Sequence, residues 1–213
     1  FNFRLELMRR MMEKGWRVTA AAPHDAYSER LVKNGIEFIP LPVSRHGADP
    51  FKDLRLLRNL YGIYKKHGPT LAHHFTIKPV IYGSLAARLA KVPGIVNAVT
   101  GLGYVFCSNG LKSLISRPYV KFMYRLISKR KNSRGIFQNP DDMSAFMSLV
   151  PLDASKTALI RGSGVDIGRF TPSAEPEGVP VIVLCARMLW NKGVADLADA
   201  SRLLKLSGAR FRI

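Results

Sequence analysis

The chain has 213 residues, enough to bury one substantial core and begin a second, and its 47% hydrophobic and 23% charged content is that of a globular protein rather than a disordered one. Its 33 Lys and Arg against 15 Asp and Glu leave a formal net charge of +18, which favours anionic partners: phosphate groups, nucleic acid or acidic lipid headgroups. Cys107 and Cys185 show neither CxxC nor Cys/His ligand spacing, which argues against a zinc site or disulfide framework and fits a reducing, cytosolic setting; no run of about 18 apolar residues occurs, so any membrane contact is expected to be peripheral.

Leu5, Met8, Met11 and Met12 fall at helical spacing, which predicts an opening helix that stops at Lys14-Gly15, where glycine suits a C-terminal cap. WRVTAAAP (16–23) reads as a strand closed by Pro23, followed by a short helix from Tyr27 to Asn34 and a strand in IEFIPLP (36–42). A helix from Pro50 to His67 is broken by Gly68-Pro69 before the strand TLAHHF (70–75). PVIYGSLAARLAKVP (79–93) reads as a helix with Pro79 in its first turn, and GIVNAVT (94–100) as the next strand.

Beyond the turn GLGYVF come a long helix from Leu111 to Lys131, a strand in RGIFQ (134–138), a helix over 140–150 and a strand in KTALI (156–160). This alternation predicts a mainly parallel sheet with helices on both faces, with ligands gathering in the turns after Phe75, Thr100, Gln138 and Ile160. The first domain is placed at residues 1–170 and a linker at 171–178, TPSAEPEG; a second domain starts over 179–213 with the strand VPVIVLCARM and the helix NKGVADLADASRLLKL. The opening helix and a final ARFRI cut in mid-strand lead us to expect a fragment.

Four segments hold candidate chemistry. In CARMLWNKG, Arg187 and Lys192 flank the start of a helix, where exposed N–H groups and the helix dipole add to the formal charges to make a diphosphate site; the ordinary alternative is two solvated surface cations. RGSGVD places Gly162 and Gly164 in a turn after a strand, serving either a ligand-facing crossover or only a tight turn. His73 and His74 end a strand ahead of Thr76 and Lys78; neighbouring strand residues point to opposite faces, so one of the two histidines is expected to be structural. Arg117, Lys121, Arg125 and Lys129 recur every four residues on the long helix beside Phe122, Met123, Leu126 and Ile127, with no acid between Leu111 and Arg134. That pattern suits either a helix lying on an anionic membrane or a core helix with a solvated basic face.

Taken in order, FRLELMRRMMEKGWRVTAAAP, HFTIKPVIYGSLAARLAKVPGIVNAVTGLGYVF, FQNPDD, GSGVDIGRF and ARMLWNKG resemble bacterial family 4 glycosyltransferases, especially those that extend polyprenyl-diphosphate-linked sugars for capsule, lipopolysaccharide O-antigen or protein glycosylation. The resemblance implies an α/β GT-B fold: a Rossmann-like acceptor domain whose first strand would precede Phe1, and a truncated Rossmann-like domain for the nucleotide sugar. It implies a retaining hexosyl- or N-acetylhexosaminyl-transferase with no metal or other cofactor, the nucleotide sugar being a substrate. Arg187 and Lys192 match the catalytic pair that holds the donor diphosphate, Gly162 and Gly164 fall on the donor side, and His74, Thr76, Lys78, Thr100, Gly101 and Gly103 fall on the acceptor side.

Many relatives carry a histidine near Thr100; threonine and glycine stand here, so no catalytic histidine is carried over. The acidic motif that grips the donor sugar would lie downstream, so the fragment is expected to be inactive alone. The implied partners are a nucleotide-sugar donor, with uridine diphosphate as its nucleotide, a polyprenyl-diphosphate-linked acceptor and an anionic membrane at the inner face of the plasma membrane, without nucleic acid. Two alternatives stand beside it: a GT-B sugar-nucleotide epimerase, for which no set of proton-transfer groups is found, and a basic nucleic-acid-binding module, for which no known motif is found.

Overall fold

The computed structural model describes residues 3–44, 49–100, 111–128, 131–150, 152–168, 170–186 and 188–213, with residues 111–116 and 191 described by their backbone alone. The chain divides into two compact units, Phe1–Gly164 and Val165–Ile213.

The first unit alternates helix and strand as the hydrophobic patterning predicts. α1 (Leu5–Glu13) leads to β1 (Thr19–Ala22), α2 (Ser28–Lys33) to β2 (Glu37–Pro40), and α3 (Pro50–His67) to β3 (Leu71–Phe75). Both ends of α3 show why it forms there. The Asp49 carboxylate accepts the Lys52 N–H at 3.1 Å, Pro50 occupies the first turn, and Gly68 closes the helix at φ 52° in the left-handed region. A π-helical turn, Pro79–Gly83, runs into α4 (Ser84–Leu89) and β4 (Gly94–Val99). α5 (Leu111–Ser128), β5 (Ser133–Phe137), α6 (Pro140–Leu149) and β6 (Thr157–Leu159) complete the unit.

The strands form two parallel sheets, β1–β2 and β3–β4–β5–β6, rather than the one sheet expected from the sequence. In the larger sheet Phe75 aligns with Ala98, and Val99 with Phe137, so the carboxyl ends of β3, β4 and β5 lie level along one edge. The buried residues of the larger sheet, among them His74, Asn97, Val99 and Phe137, alternate onto one face. Alternate residues of β3 point to opposite sides; on one side His74 meets Tyr64 of α3, and on the other Arg4, at the start of α1, sits over the Phe75 ring at 4.1 Å.

The core under α3, α5 and α6 includes Leu56, Leu60, Val80, Met123, Phe137 and Phe146. Phe146 packs edge-on to Tyr124, with ring centroids 4.7 Å apart, and lies 5.2 Å from Phe137. Burying such side chains is worth roughly 1.5–3 kcal/mol each.

In the second unit α7 (Val194–Leu206) follows a 3-10 turn at Trp190–Lys192. The strand expected over VPVIVLCARM is reduced to one parallel bridge, Val181 to Arg212, and the closing ARFRI strand to the other side of that bridge. A parallel strand needs hydrogen-bonding neighbours. Among the described residues only the segment around Arg212 runs beside Val181, and Val183 is left 78% exposed. Among the described residues no helix is long and apolar enough to cross a membrane.

Candidate functional site

The carboxyl end of β3 is where the first unit concentrates polar chemistry. His74 is buried, with Nδ1 2.8 Å from Asn97 Oδ1 and Nε2 2.7 Å from the Tyr64 hydroxyl. Asn97 Oδ1 also accepts from the Ser84 hydroxyl at 3.0 Å. An amide oxygen only accepts, so His74 donates from Nδ1 and receives the Tyr64 O–H at Nε2. Burial pushes the imidazole pKa down to about 4, against the small upward pull of the Asn97 bond, and pushes the Tyr64 hydroxyl pKa up. His74 is therefore a neutral clamp joining α3, β3, β4 and α4. His73, on the opposite face, stacks on Phe75 at 4.2 Å; burial, then the nearby His74 and Arg4, lower its pKa to about 4.

Two residues after His74, Thr76 takes φ 69°, a left-handed conformation that a β-branched residue adopts only under constraint. Its carbonyl accepts the Val80 N–H at 3.0 Å, which ties the turn to the helix that follows. Lys78 leaves this turn and places Nζ 2.7 Å from Asp53 Oδ1, while Asp53 Oδ2 accepts the Tyr82 hydroxyl at 3.0 Å. Tyr82 is in turn 3.1 Å from the Tyr119 hydroxyl. Burial, then the Tyr119 and Asp53 contacts, raise the Tyr82 pKa.

Thr100 follows β4, half-buried and level with this turn; Gly101 and Gly103 lie outside the described residues. After β6, Gly162 and Gly164 take φ 71° and 72°, as the glycine-rich turn requires, and Ser163 between them accepts from the Arg4 guanidinium at 3.2 Å. Arg4 thus touches both Phe75 and Ser163, drawing the β3 and β6 turns to one edge. Sequence reading passed over Arg4, Asp53, Tyr82 and Asn97. Asp53 lies among ordinary helix-surface charges in the chain, and only its pairing with Lys78 sets it apart.

In the second unit Lys192 is exposed in the 3-10 turn ahead of α7, and Gly193, at φ 78°, opens the helix; Arg187 lies outside the described residues. On α5 the apolar stripe is divided: Met123 and Ile127 are buried in the core, Leu126 is half-buried and Phe122 is exposed. Arg117 and Lys121 are half-buried, Arg125 is exposed with Nε donating to the Leu149 carbonyl at 3.2 Å, and Lys129 lies outside the described residues.

A cleft of about 1180 Å³ separates the two sheets of the first unit, bounded by Thr19, Ala21 and Ala22 of β1, by all of β3, and by Leu60, Ile63 and Tyr64 of α3. It reaches Thr76 and Lys78 at one end and Gly68 to Thr70 at the other.

An α/β unit of parallel strands with polar turns along the carboxyl edge is the Rossmann-like arrangement of GT-B glycosyltransferases, and solved structures share it. A glycosyltransferase from Rickettsia africae ESF-5 superposes with a TM-score of 0.66 at 19% identity, over 98% of this chain and 54% of that one. Anabaena Alr3699/HepE, solved in complex with UDP and glucose, gives 0.55 at 16% identity, over 94% and 46%. Residues 2–131 match the glycosyl transferase 4-like family, and the chain belongs to it. Among curated relatives, the N,N'-diacetylbacillosaminyl-diphospho-undecaprenol alpha-1,3-N-acetylgalactosaminyltransferase of Campylobacter jejuni is 25% identical over 96% of this chain and 57% of its own length. The UDP-Gal:alpha-D-GlcNAc-diphosphoundecaprenol alpha-1,3-galactosyltransferase of Escherichia coli is 31% identical over 57% and 30%. The chain thus spans little more than half of the longer match.

Proposed function

We infer that the polypeptide carrying this chain transfers a hexose or N-acetylhexosamine, with retention, from a UDP-linked donor to a polyprenyl-diphosphate-linked saccharide at the inner face of the plasma membrane. Capsule, lipopolysaccharide or a related glycan is the product class. The observation that carries this reading is the constrained Thr76 turn, set between the clamped His74 and the paired Lys78 on the edge that Arg4 shares with the Gly162–Gly164 turn. The names of both curated relatives, which specify diphospho-undecaprenol-linked acceptors, support it.

In this reading His74 holds the acceptor turn in shape without touching substrate, and Thr76, Lys78, Thr100, Gly101 and Gly103 face the acceptor. Gly162 and Gly164 let backbone approach the donor. Arg187, with Lys192 in the turn ahead of α7, takes up charge on the departing nucleoside diphosphate, so that no metal is needed. The basic side of α5 meets acidic headgroups where the lipid-linked diphosphate resides.

Transfer assays with UDP-linked hexoses and N-acetylhexosamines against a polyprenyl-diphosphate sugar test this. Product should remain lipid-linked with the donor's anomeric configuration. Arg187→Ala and Lys192→Ala should each lower the rate by roughly tenfold to a thousandfold. No transfer to any lipid-diphosphate sugar, or unchanged rates in both variants, would sink the proposal.

A further inference from the structure

α3 buries Asp53, Leu56 and Leu60 at helical spacing, so a carboxylate stands where the period calls for an apolar side chain. Other segments converge on it. Lys78, from the turn after β3, donates to Oδ1 at 2.7 Å, and Tyr82, from the π-helical turn, donates to Oδ2 at 3.0 Å. Tyr119 of α5, exposed, stands 3.1 Å from the Tyr82 hydroxyl. As a device for stability alone the arrangement is poor: an apolar pair of similar volume does as well or better, because two charges leave water to make this one. It also lies between the left-handed Thr76 and a π-helical turn, departures from regular backbone of the kind that gather at functional sites.

The pair leaves Lys78 with donors to spare. An ammonium carries three N–H groups; one goes to Asp53, and no other partner meets Lys78 among the described residues. Lys78 lines the cleft beside Thr76, so it is reached from the open edge of the unit. What it can take there is set by charge. With Oδ1 2.7 Å from Nζ, the carboxylate offsets the field of the ammonium a short distance away, and a phosphate drawn to the cation meets the anion behind it. A hydroxyl brings no charge to be repelled. It needs only a donor held in one place, and Asp53, itself fixed by Tyr82, holds Nζ there.

We propose that Asp53 and Tyr82 are positioning residues that keep Lys78 as a charge-neutralised donor for a hydroxyl of the acceptor sugar, and that the acceptor diphosphate is held by other groups. This deepens the acceptor role given to Lys78 above and rests on that reading. Tyr119 carries the same network to α5.

Asp53→Leu with Lys78→Met, made in the polypeptide carrying this chain, separates positioning from packing, since an apolar pair refills the space. Its Tm should stay close to that of the parent, while KM for the lipid-linked acceptor rises about tenfold or more and KM for the nucleotide sugar is unchanged. Monodeoxy acceptors locate the contact: with one of them the parent is already impaired and the double change adds nothing. Asp53→Asn leaves the ammonium without its counter-charge, so it should raise the acceptor KM and at the same time strengthen inhibition by inorganic pyrophosphate severalfold. An arm without turnover uses the 213-residue chain: saturation transfer in NMR to a methyl N-acetylhexosaminide should be seen with the parent and lost in the double variant. Recovery of the acceptor KM together with the Tm in the double variant would overturn the proposal. So would an equal loss with every deoxy acceptor, pyrophosphate inhibition weakened in step with acceptor binding, or unaltered saturation transfer. Failure of the parent to use any lipid-diphosphate sugar would instead sink the transfer reading, and the saturation-transfer arm would still decide the role of Lys78.

Discussion

The Lys78 ammonium lies 2.7 Å from Asp53 Oδ1, with the two side chains only 16% and 10% exposed. Removing one partner of such a pair strands the other charge away from water, so Asp53→Ala is expected to cost about 3–5 kcal/mol in urea unfolding. It also removes the carboxylate oxygen that accepts the Tyr82 O–H, leaving only the Tyr119 hydroxyl beside it. Replacing both members, Asp53→Leu with Lys78→Met, should cost clearly less than the sum of the single changes. Strict additivity would mean that the pair is not coupled.

Gly83 touches the ring of His74: a Cβ there would stand 2.6 Å from its Cδ2 and 2.7 Å from its Nε2. Gly83→Ala should destabilise the fold by about 1–3 kcal/mol, because the ring is bonded at both nitrogens and cannot withdraw. Gly62→Ala, inside α3 with nothing within 4 Å of the new Cβ, should be neutral or stabilising by up to about 1 kcal/mol. Equal thermal shifts for the two variants would count against this account of His74.

Stability should depend on pH through His74 and His73. The folded chain holds His74 neutral down to about pH 4, whereas the unfolded chain binds a proton below its ordinary value near 6.5. The stabilisation is complete above about pH 6.5 and is lost as the pH falls from 6.5 towards 4, at up to about 1.4 kcal/mol per pH unit for each histidine. His73, also lowered to about 4, adds in the same direction. Urea titrations at pH 7.5, 6 and 5 should show the slope, and His74→Asn should reduce it by about half. An unchanged slope in that variant would remove His74 as the source.

Charge reversal at Arg117, Lys121, Arg125 and Lys129 is expected to abolish sedimentation with anionic vesicles. Each cation near an acidic surface is worth about 1 kcal/mol, so four account for roughly a thousandfold in partitioning before screening. The fold should survive, because Val120, Met123, Tyr124 and Ile127 hold α5 in the core. Undiminished sedimentation of the variant at physiological salt would make the stripe an ordinary solvated face.

Local order was legible in the amino-acid sequence because local physics produces it. The period of apolar residues, the Asp49 cap, Pro50 and Gly68 place α3, and alternation with short strands announces a parallel α/β unit. The run of motifs also pointed to the family that the comparison bears out. Tertiary structure alone decided what each polar residue meets. Asp53 finds Lys78 25 residues away, His74 finds Asn97 at 23, and Arg4 finds Ser163 at 159, separations that carry no local signature. It also decided which way an amphipathic helix spends its apolar face: α5 turns Met123 and Ile127 into the core and leaves Phe122 outside, a choice set by the neighbours that surround it. The strand tendency of VPVIVLCARM likewise needed a partner, and a single bridge to Arg212 is what it has, because a parallel strand is made by the backbone groups beside it and not by its own side chains alone.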